Sequence, residues 1–417
     1  MNTAQATLEK LGVLKSECKR IIVGCGPQVD GIAVATLARQ HGILFGPPGE
    51  AKSMLLDSWI RGMTGVQVFT WTVAQDTMPE DLNSAGSDFM SETTESEAEG
   101  QKTIRQRQWV EPIVKGMMPT SQIVLLRELF RCNSHTLNAL LTAINERYWV
   151  LRGERIQMPL WSVFGDTNNL PGEDLNAFYD RFMMRFMVDR LMEKSQRLEM
   201  RRISEGLSNR DPNVMMRVDP ISAAEFMEAQ KLVRQVYISP RIDELIEEII
   251  EKLYEVGIII YGRRDARLNR VLKANAWLDG GRDEVTEADL VDMLPHCLWD
   301  DPDDRKKVRG IVLAVANPIG KIVQDLLDEA QEIRDAALSK LRSDGQPKDA
   351  MAFQRGCLEG NTKLKRLITG DNGASDFKGV AQLLETARKA GEPTRAIEEA
   401  QATIQRFQRD VFAAATN

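Results

Sequence analysis

The chain has 417 residues, and 54 lysine and arginine residues against 61 aspartate and glutamate residues give it a net charge of −7. This length predicts two or three domains, and the acidic balance disfavours bulk nucleic-acid binding, which depends on cationic contacts to phosphate. The five cysteines show neither a zinc-binding spacing nor a dense disulfide framework, and we find neither a signal peptide nor an apolar run of bilayer length. We therefore expect a globular protein of the reducing cytoplasm, without a membrane partner.

The sequence pattern of residues 1–190 predicts an α/β domain. Residues 3–20 space their leucines for one face of an amphipathic helix. Short apolar runs then alternate with helical patterns, which is typical of a parallel sheet flanked by helices. The runs are GILF at 42–45, VQVFTW at 66–71, QIVLL at 122–126, LWSVF at 160–164 and MMRFMV at 183–188.

A polar segment at residues 83–107 interrupts this alternation. It contains few residues able to join a core, and it crowds together Glu92, Glu95, Glu97 and Glu99. We interpret it as a protruding, mobile loop. A solvated loop is the ordinary interpretation of such glutamates, and a pore or partner-docking loop is the functional alternative.

The remainder of the chain is predicted to be helical. A linker and a small all-helical lid are expected at 191–300, where two capping boxes occur, Ser222 with Glu225 and Thr286 with Asp289. Apolar residues at three- and four-residue spacing over 319–337 predict a long amphipathic helix. We expect a helical tail or bundle at 301–417 that supplies partner or oligomer contacts.

The strongest chemical motif is GPPGEAKS, which lies directly between the predicted strand GILF and a helical run. In a P-loop, backbone N–H groups cradle phosphate oxygens at a helix N-terminus. The motif consists of Gly46, Pro47, Pro48, Gly49, Glu50, Ala51, Lys52 and Ser53. Lys52 is predicted to contact the β- and γ-phosphates of ATP, and Ser53 to bind Mg²⁺. Ala51 stands where glycine is usual, and a plain turn that caps a helix is the alternative.

A second acidic element follows the apolar run at 122–126. P-loop ATPases normally end this strand in Asp-Glu, where the Asp supports Mg²⁺ and the Glu polarises the attacking water. Here Arg127 occupies the Asp position and Glu128 remains as a catalytic base. A cation near Mg²⁺ costs several kcal/mol at an effective dielectric constant of about 20, so we expect hydrolysis to be weakened. The alternative is that Glu128 only ends a strand.

These motifs, with IVLLRELFRCNSHTLNALLTAINER at 123–147, FGDTNNLP at 164–171 and LNAFYDRFMMRF at 175–186, resemble the MoxR branch of AAA+ ATPases, most closely the RavA type. The similarity extends from about residue 20 to residue 300 and includes CLWDD at 297–301. The tail beyond does not resemble the RavA C-terminal region. Alanine before the P-loop lysine is usual in this group.

The resemblance implies roles for three further residues. Asn168 resembles sensor 1, which holds the attacking water near the γ-phosphate. Arg181 resembles the arginine finger, which acts on the nucleotide of the neighbouring subunit. Arg263 resembles sensor 2, with the adjacent Arg264 as an open alternative. The segment at 148–159 resembles the pre-sensor hairpin of this branch. Ordinary salt bridges are the alternative for the arginines.

The leading hypothesis is a ring-forming ATPase, expected to be a hexamer, that couples ATP hydrolysis to remodelling or activating a protein partner. The resemblance implies a partner with a von Willebrand factor A domain. The alternative is a nucleotide-binding assembly scaffold with impaired hydrolysis, which Arg127 motivates. A DNA motor is a third hypothesis, and the net charge of −7 argues against it. His135 and His296 are isolated from any metal-binding cluster and are interpreted as structural.

Overall fold

The protein is described here from a computed structural model, which covers residues 3–98, 101–151, 153–172, 175–210, 215–338, 350–370, 379–390 and 394–416. The chain divides into two compact units, Met1–Val308 and Arg309–Asn417. Among the described helices, none combines the length and the apolar character that crossing a membrane requires.

The first unit begins with an α/β core. Its helices are α1 (Thr3–Ile21), α2 (Gly26–Ala38), α3 (Lys52–Arg61), α4 (Pro79–Asn83), α5 (Ser134–Glu146), α6 (Asn176–Tyr179) and α7 (Lys194–Ser208). Its strands are β1 (Gly42–Phe45), β2 (Met63–Thr64), β3 (Val68–Thr72), β4 (Ser87–Ala98), β5 (Gln101–Pro112), β6 (Ile123–Arg127), β7 (Tyr148–Leu151), β8 (Glu154–Gln157), β9 (Ser162–Thr167), β10 (Met184–Met187) and β11 (Ile221–Ser222). Five parallel strands form the central sheet in the order β10-β1-β9-β6-β3. The predicted parallel sheet flanked by helices is confirmed.

The central strands are apolar because both faces of the sheet are covered. Every residue of β1 and of β9 is buried, and strands of this kind have nearly continuous apolar sequences. Helix α2 packs so closely that a Cβ atom at Gly31 would lie 1.9 Å from the Phe186 ring. Because the strands are parallel, the segments that follow β1, β6 and β9 meet at the same edge of the sheet.

The prediction of a loop at residues 83–107 is wrong. Strands β4 and β5 pair in antiparallel register over this region, from Ser87 opposite Pro112 to Ala98 opposite Gln101. Backbone pairing between β4 and β5 requires no apolar core. The polar composition of this segment therefore did not indicate strands. The hairpin predicted at residues 148–159 is confirmed, since β7 pairs with β8.

Four helices form the lid that follows the core: α8 (Ala223–Gln235), α9 (Pro240–Glu255), α10 (Gly262–Leu278) and α11 (Glu287–Met293). Both predicted capping boxes are present, at the first residues of α8 and α11. Helix α9 buries Ile242, Ile246, Ile249, Ile250 and Leu253, which lie on one face of the helix. The chain continues into α12 (Arg305–Ala316).

The second unit is helical, as predicted. It comprises most of α12 together with α13 (Pro318–Leu338), α14 (Ala350–Thr369), α15 (Val380–Ala390) and α16 (Arg395–Thr416). The last four helices share one apolar core, in which Ala330, Leu364 and Ile404 are almost completely buried. The amphipathic stripe predicted for 319–337 therefore packs against helices of the same chain.

Candidate nucleotide-binding site

The loop from Gly46 to Ala51 connects the buried strand β1 to helix α3. Only glycine fits at position 46, because a Cβ atom there would lie 2.4 Å from the Val188 carbonyl oxygen. Gly49 has φ +87° and Ala51 has φ +51°, so both lie in the left-handed region. For Ala51 this conformation is strained by about 1–2 kcal/mol, and strain of this size is typical of functional loops. The loop places the N-terminus of α3 at the edge of the sheet, where β1 ends.

Lys52 is buried at the mouth of this loop. Its ammonium group donates to the carbonyl oxygens of Gly46 at 2.6 Å and Pro47 at 2.8 Å, and to Asn168 Oδ1 at 2.8 Å. Burial lowers the pKa of Lys52, and the carboxylates of Asp166 and Glu128 oppose that shift. The lysine charge is therefore held inside the site by acceptors from two segments.

Glu128 and Asn168 join the same network. Glu128 directly follows β6, and Asn168 directly follows β9. The Asn168 side-chain amide donates to Glu128 Oε1 at 3.0 Å while its oxygen accepts from Lys52. Three residues predicted from separate motifs are thus brought within hydrogen-bond reach at one edge of the sheet.

Asp166 is a site residue that the sequence analysis missed. Its Oδ2 accepts from the Ser53 hydroxyl at 3.0 Å, and its Oδ1 accepts from the backbone N–H of Glu128 at 3.0 Å. The residue is only 5% exposed, and buried aspartates are rare unless they are paired. The available signal was an acid inside the apolar segment VFGDT, whereas the usual position of the metal-supporting carboxylate is the end of β6.

Arg127 ends β6, as predicted, and it is paired. Its guanidinium donates to both carboxylate oxygens of Asp57 on α3, at 3.0 and 3.1 Å. The pair is partly exposed, so its contribution to stability is modest. The cation that replaces the usual Asp is nevertheless offset by a carboxylate, and a different carboxylate contacts Ser53.

The predicted arginine finger and sensor 2 lie together at Asp180. Arg181 and Arg263 each place a guanidinium nitrogen near Asp180 Oδ2, at 3.7 and 3.6 Å. Arg263 is 39% exposed, whereas the adjacent Arg264 is almost completely buried. The described contacts therefore group these arginines around one carboxylate and not with Lys52.

Ion pairs made by two buried arginines attach the segment after the lid to the core. Arg264 lies 2.7 Å from Asp300, and Arg185 of β10 contacts both Asp300 and the Trp299 carbonyl oxygen. The Arg185 guanidinium lies 3.9 Å from the centre of the Tyr179 ring. Burial opposes the ionisation of Asp300, but Arg185 and Arg264 outweigh it and lower its pKa. The CLWDD segment therefore has a structural role, because its Trp299 and Asp300 hold the buried arginines. Of the two adjacent arginines, Arg263 is more accessible than Arg264.

A P-loop at the edge of a five-stranded parallel sheet, followed by a helical lid, defines an AAA+ ATPase fold. The family described as the MoxR domain in MoxR-vWA-beta-propeller ternary systems matches residues 9–213, and an AAA lid domain family matches residues 241–312. The chain belongs to the MoxR family of AAA+ ATPases.

Other proteins are similar over most of the chain. One uncharacterized protein of Methanocaldococcus jannaschii is 29% identical over 330 residues, which cover 79% of each chain. A second from the same organism is 30% identical over 317 residues, which cover 76% of this chain and 77% of that one. The crystal structure of a proposed ATPase from Cytophaga hutchinsonii has a TM-score of 0.55 at 21% identity and covers 75% of this chain and 95% of its own. That likeness supports the fold alone.

Proposed function

We propose that this protein binds ATP with Mg²⁺ along the loop from Gly46 to Ser53 and hydrolyses it. The observation that carries the proposal is the hydrogen bond between the Ser53 hydroxyl and the buried Asp166 carboxylate. Oxygen donors of this kind are the ligands that Mg²⁺ prefers, so these residues fit the metal. Mg²⁺ bound with the nucleotide supplies positive charge to the phosphate oxygens.

Each residue of the site has a separate role in hydrolysis. The loop amides and Lys52 bind the phosphates, and Ser53 and Asp166 hold the metal side of the site. Glu128 accepts a proton from the attacking water, and Asn168 orients both that water and the Glu128 carboxylate to which it donates. Arg263 is assigned to the γ-phosphate, as sensor 2.

The alternative is a nucleotide-binding scaffold that hydrolyses ATP poorly, and the observation that favours it is Arg127 at the end of β6. The pairing of Arg127 with Asp57 weakens this alternative, because the cation is offset. Steady-state ATP turnover separates the two. We expect turnover by the native chain and a loss of about 100-fold in Glu128→Gln, which retains ATP binding. A native chain that binds ATP but shows no turnover above Glu128→Gln would establish the scaffold.

We further propose a ring, expected to be a hexamer, in which Arg181 acts on the nucleotide of the neighbouring subunit. An arginine finger can contribute roughly 10³–10⁵ in rate. Arg181→Ala and Lys52→Ala should each abolish turnover, and mixing the two should restore part of it, because one subunit then supplies the P-loop and the other the arginine. No recovery in mixed rings would contradict this assignment. Electron microscopy with and without ATP tests the ring itself.

We assign nucleotide chemistry to residues 1–190, the linker and lid to 191–300, and partner or subunit contacts to 301–417. The activity expected is RavA-like remodelling or activation of a cytoplasmic protein that carries a von Willebrand factor A domain. The support is the description of the matching family, which names MoxR-vWA-beta-propeller systems. The five cysteines are free thiols, which suits a reducing compartment. ATP-dependent co-purification with such a domain, lost in Lys52→Ala, tests the partner.

A further inference from the structure

A cavity of about 450 Å³ is lined by cations from the core and the lid. Arg39 is the residue after α2, Arg147 is the residue after α5, and Arg234 lies on α8. Arg270 and Lys273 lie one turn apart on α10. Five positive charges thus surround one concavity in a chain whose net charge is −7.

The cavity offers these cations no carboxylate among its lining residues. Its other polar side chains are the amides of Gln230 and Asn269. Burial lowers the pKa of Arg39, and the neighbouring cations Arg234 and Arg270 lower it further. Like charges held close together repel one another, and an anion that enters the cavity relieves this repulsion.

Two of the guanidinium groups are held in place by the backbone. Arg39 donates to the Leu160 carbonyl oxygen at 2.9 Å, and Arg147 donates to the carbonyl oxygens of Leu160 and Arg39. The Nε–H of Arg39 is buried without a hydrogen-bond partner in the structure. Burial, followed by Arg39 and Arg270, lowers the pKa of Arg147 to about 10, so the group is still charged at neutral pH. The cations are therefore preorganised and in part unsatisfied.

This cavity is separate from the ATP site. Arg39 precedes β1 and Leu160 precedes β9, so the backbone that holds the two guanidiniums lies at the amino ends of these parallel strands. The loop from Gly46 to Ser53 follows β1 and lies at the opposite, carboxyl edge of the sheet.

We propose that the cavity binds a small molecule that carries several phosphate groups. Arginine forks match phosphate oxygens in bidentate geometry, and several arginines around one space favour a ligand with several phosphates. Pockets of about 300–1,000 Å³ are typical of small-molecule sites. Duplex nucleic acid instead requires an extended basic surface that follows its backbone. A bound polyphosphate would connect α10 of the lid to α2 and α5 of the core.

The test measures binding of sodium tripolyphosphate to the full-length protein by calorimetry at constant ionic strength. The Lys52→Ala background removes the principal phosphate contact of the P-loop, so the signal reports on the cavity. In that background, the double variant Arg234→Gln/Arg270→Gln should bind at least about tenfold more weakly, because two charges are lost. The matched control is Lys231→Gln/Lys252→Gln, which removes two exposed lid cations that already pair with glutamates and should bind as tightly as the background.

The outcomes are decisive in both directions. Tripolyphosphate binding that survives Lys52→Ala and fails in the arginine double variant supports the cavity. No binding in the Lys52→Ala background, or equal binding by both double variants, overturns it. Duplex DNA that binds as tightly as tripolyphosphate, with the same sensitivity to the arginine substitutions, overturns the small-ligand assignment. Binding of Mg²⁺-ATP to the arginine double variant in the otherwise native chain is measured separately, so failure of the cavity is distinguishable from failure of the proposed ATP site.

Discussion

Asp166→Asn should weaken Mg²⁺-dependent ATP binding with little effect on folding. Asparagine keeps the shape of the side chain, so its oxygen can accept from the Glu128 N–H while its amide donates to the Ser53 hydroxyl. The folded state then loses only the charged character of two hydrogen bonds, about 1 kcal/mol.

The free energy of Mg²⁺ binding should change much more than the free energy of folding. A unit charge pair about 4 Å apart is worth roughly 4 kcal/mol at an effective dielectric constant of about 20. Because the Asp166 carboxylate reaches the metal side of the site through the Ser53 hydroxyl, we take about 3 kcal/mol, or roughly 100-fold. The Mg²⁺ concentration for half-maximal binding of a fluorescent ATP analogue should rise by that factor.

Arg127→Gln is the control. The guanidinium is already paired with Asp57, so removing it should change the Mg²⁺ requirement by less than about threefold. If Arg127 instead repels the metal, this variant should lower the requirement strongly. An unchanged Mg²⁺ requirement in Asp166→Asn would refute the role given to that carboxylate.

Three further predictions concern stability. Ala51→Gly should raise the free energy of unfolding in urea by about 1 kcal/mol, because glycine adopts φ +51° without strain; a destabilised variant would contradict this. Asp300→Asn should lower it by about 2 kcal/mol, since Arg185 and Arg264 lose their shared carboxylate, and the 47% exposure of Asp300 screens part of the larger cost typical of a fully buried pair. Burial holds the pKa of His41 at about 3, so its contribution to stability is complete above its unfolded pKa of about 6.5 and falls by about 1.4 kcal/mol per pH unit between about 6.5 and 3. His41→Gln should flatten that slope in unfolding measurements between pH 7 and 5, and an unchanged slope would refute the assignment.

Much of the fold could be predicted because the central strands are buried on both faces. Their nearly continuous apolar sequences distinguish them from the helices between them. The order of motifs also predicted that Lys52, Glu128 and Asn168 would follow strands of one parallel sheet. Their proximity then required only the rule that the carboxyl ends of such strands share an edge.

The remaining features depend on register and on distant contacts. The approach of Asp166 to Ser53 requires β9 to lie beside β1, and chain order does not reveal that neighbour. The pairing of Arg127 with Asp57 depends on where α3 lies relative to the end of β6. The β4–β5 arm was missed because backbone pairing leaves no apolar signal. The residues that line the cationic cavity come from four separate segments, so no basic stretch of the sequence indicates it.

Three charged residues, Asp57, Arg127 and Asp166, lie on α3 and at or near the ends of β6 and β9. Arg127→Asp alone would place a second carboxylate beside Asp57, and like charges so close raise one another's pKa values. Replacing Asp166 alone would remove the acid that contacts the Ser53 hydroxyl. Either single reversal is unfavourable, so we expect the three residues to have been inherited as a set.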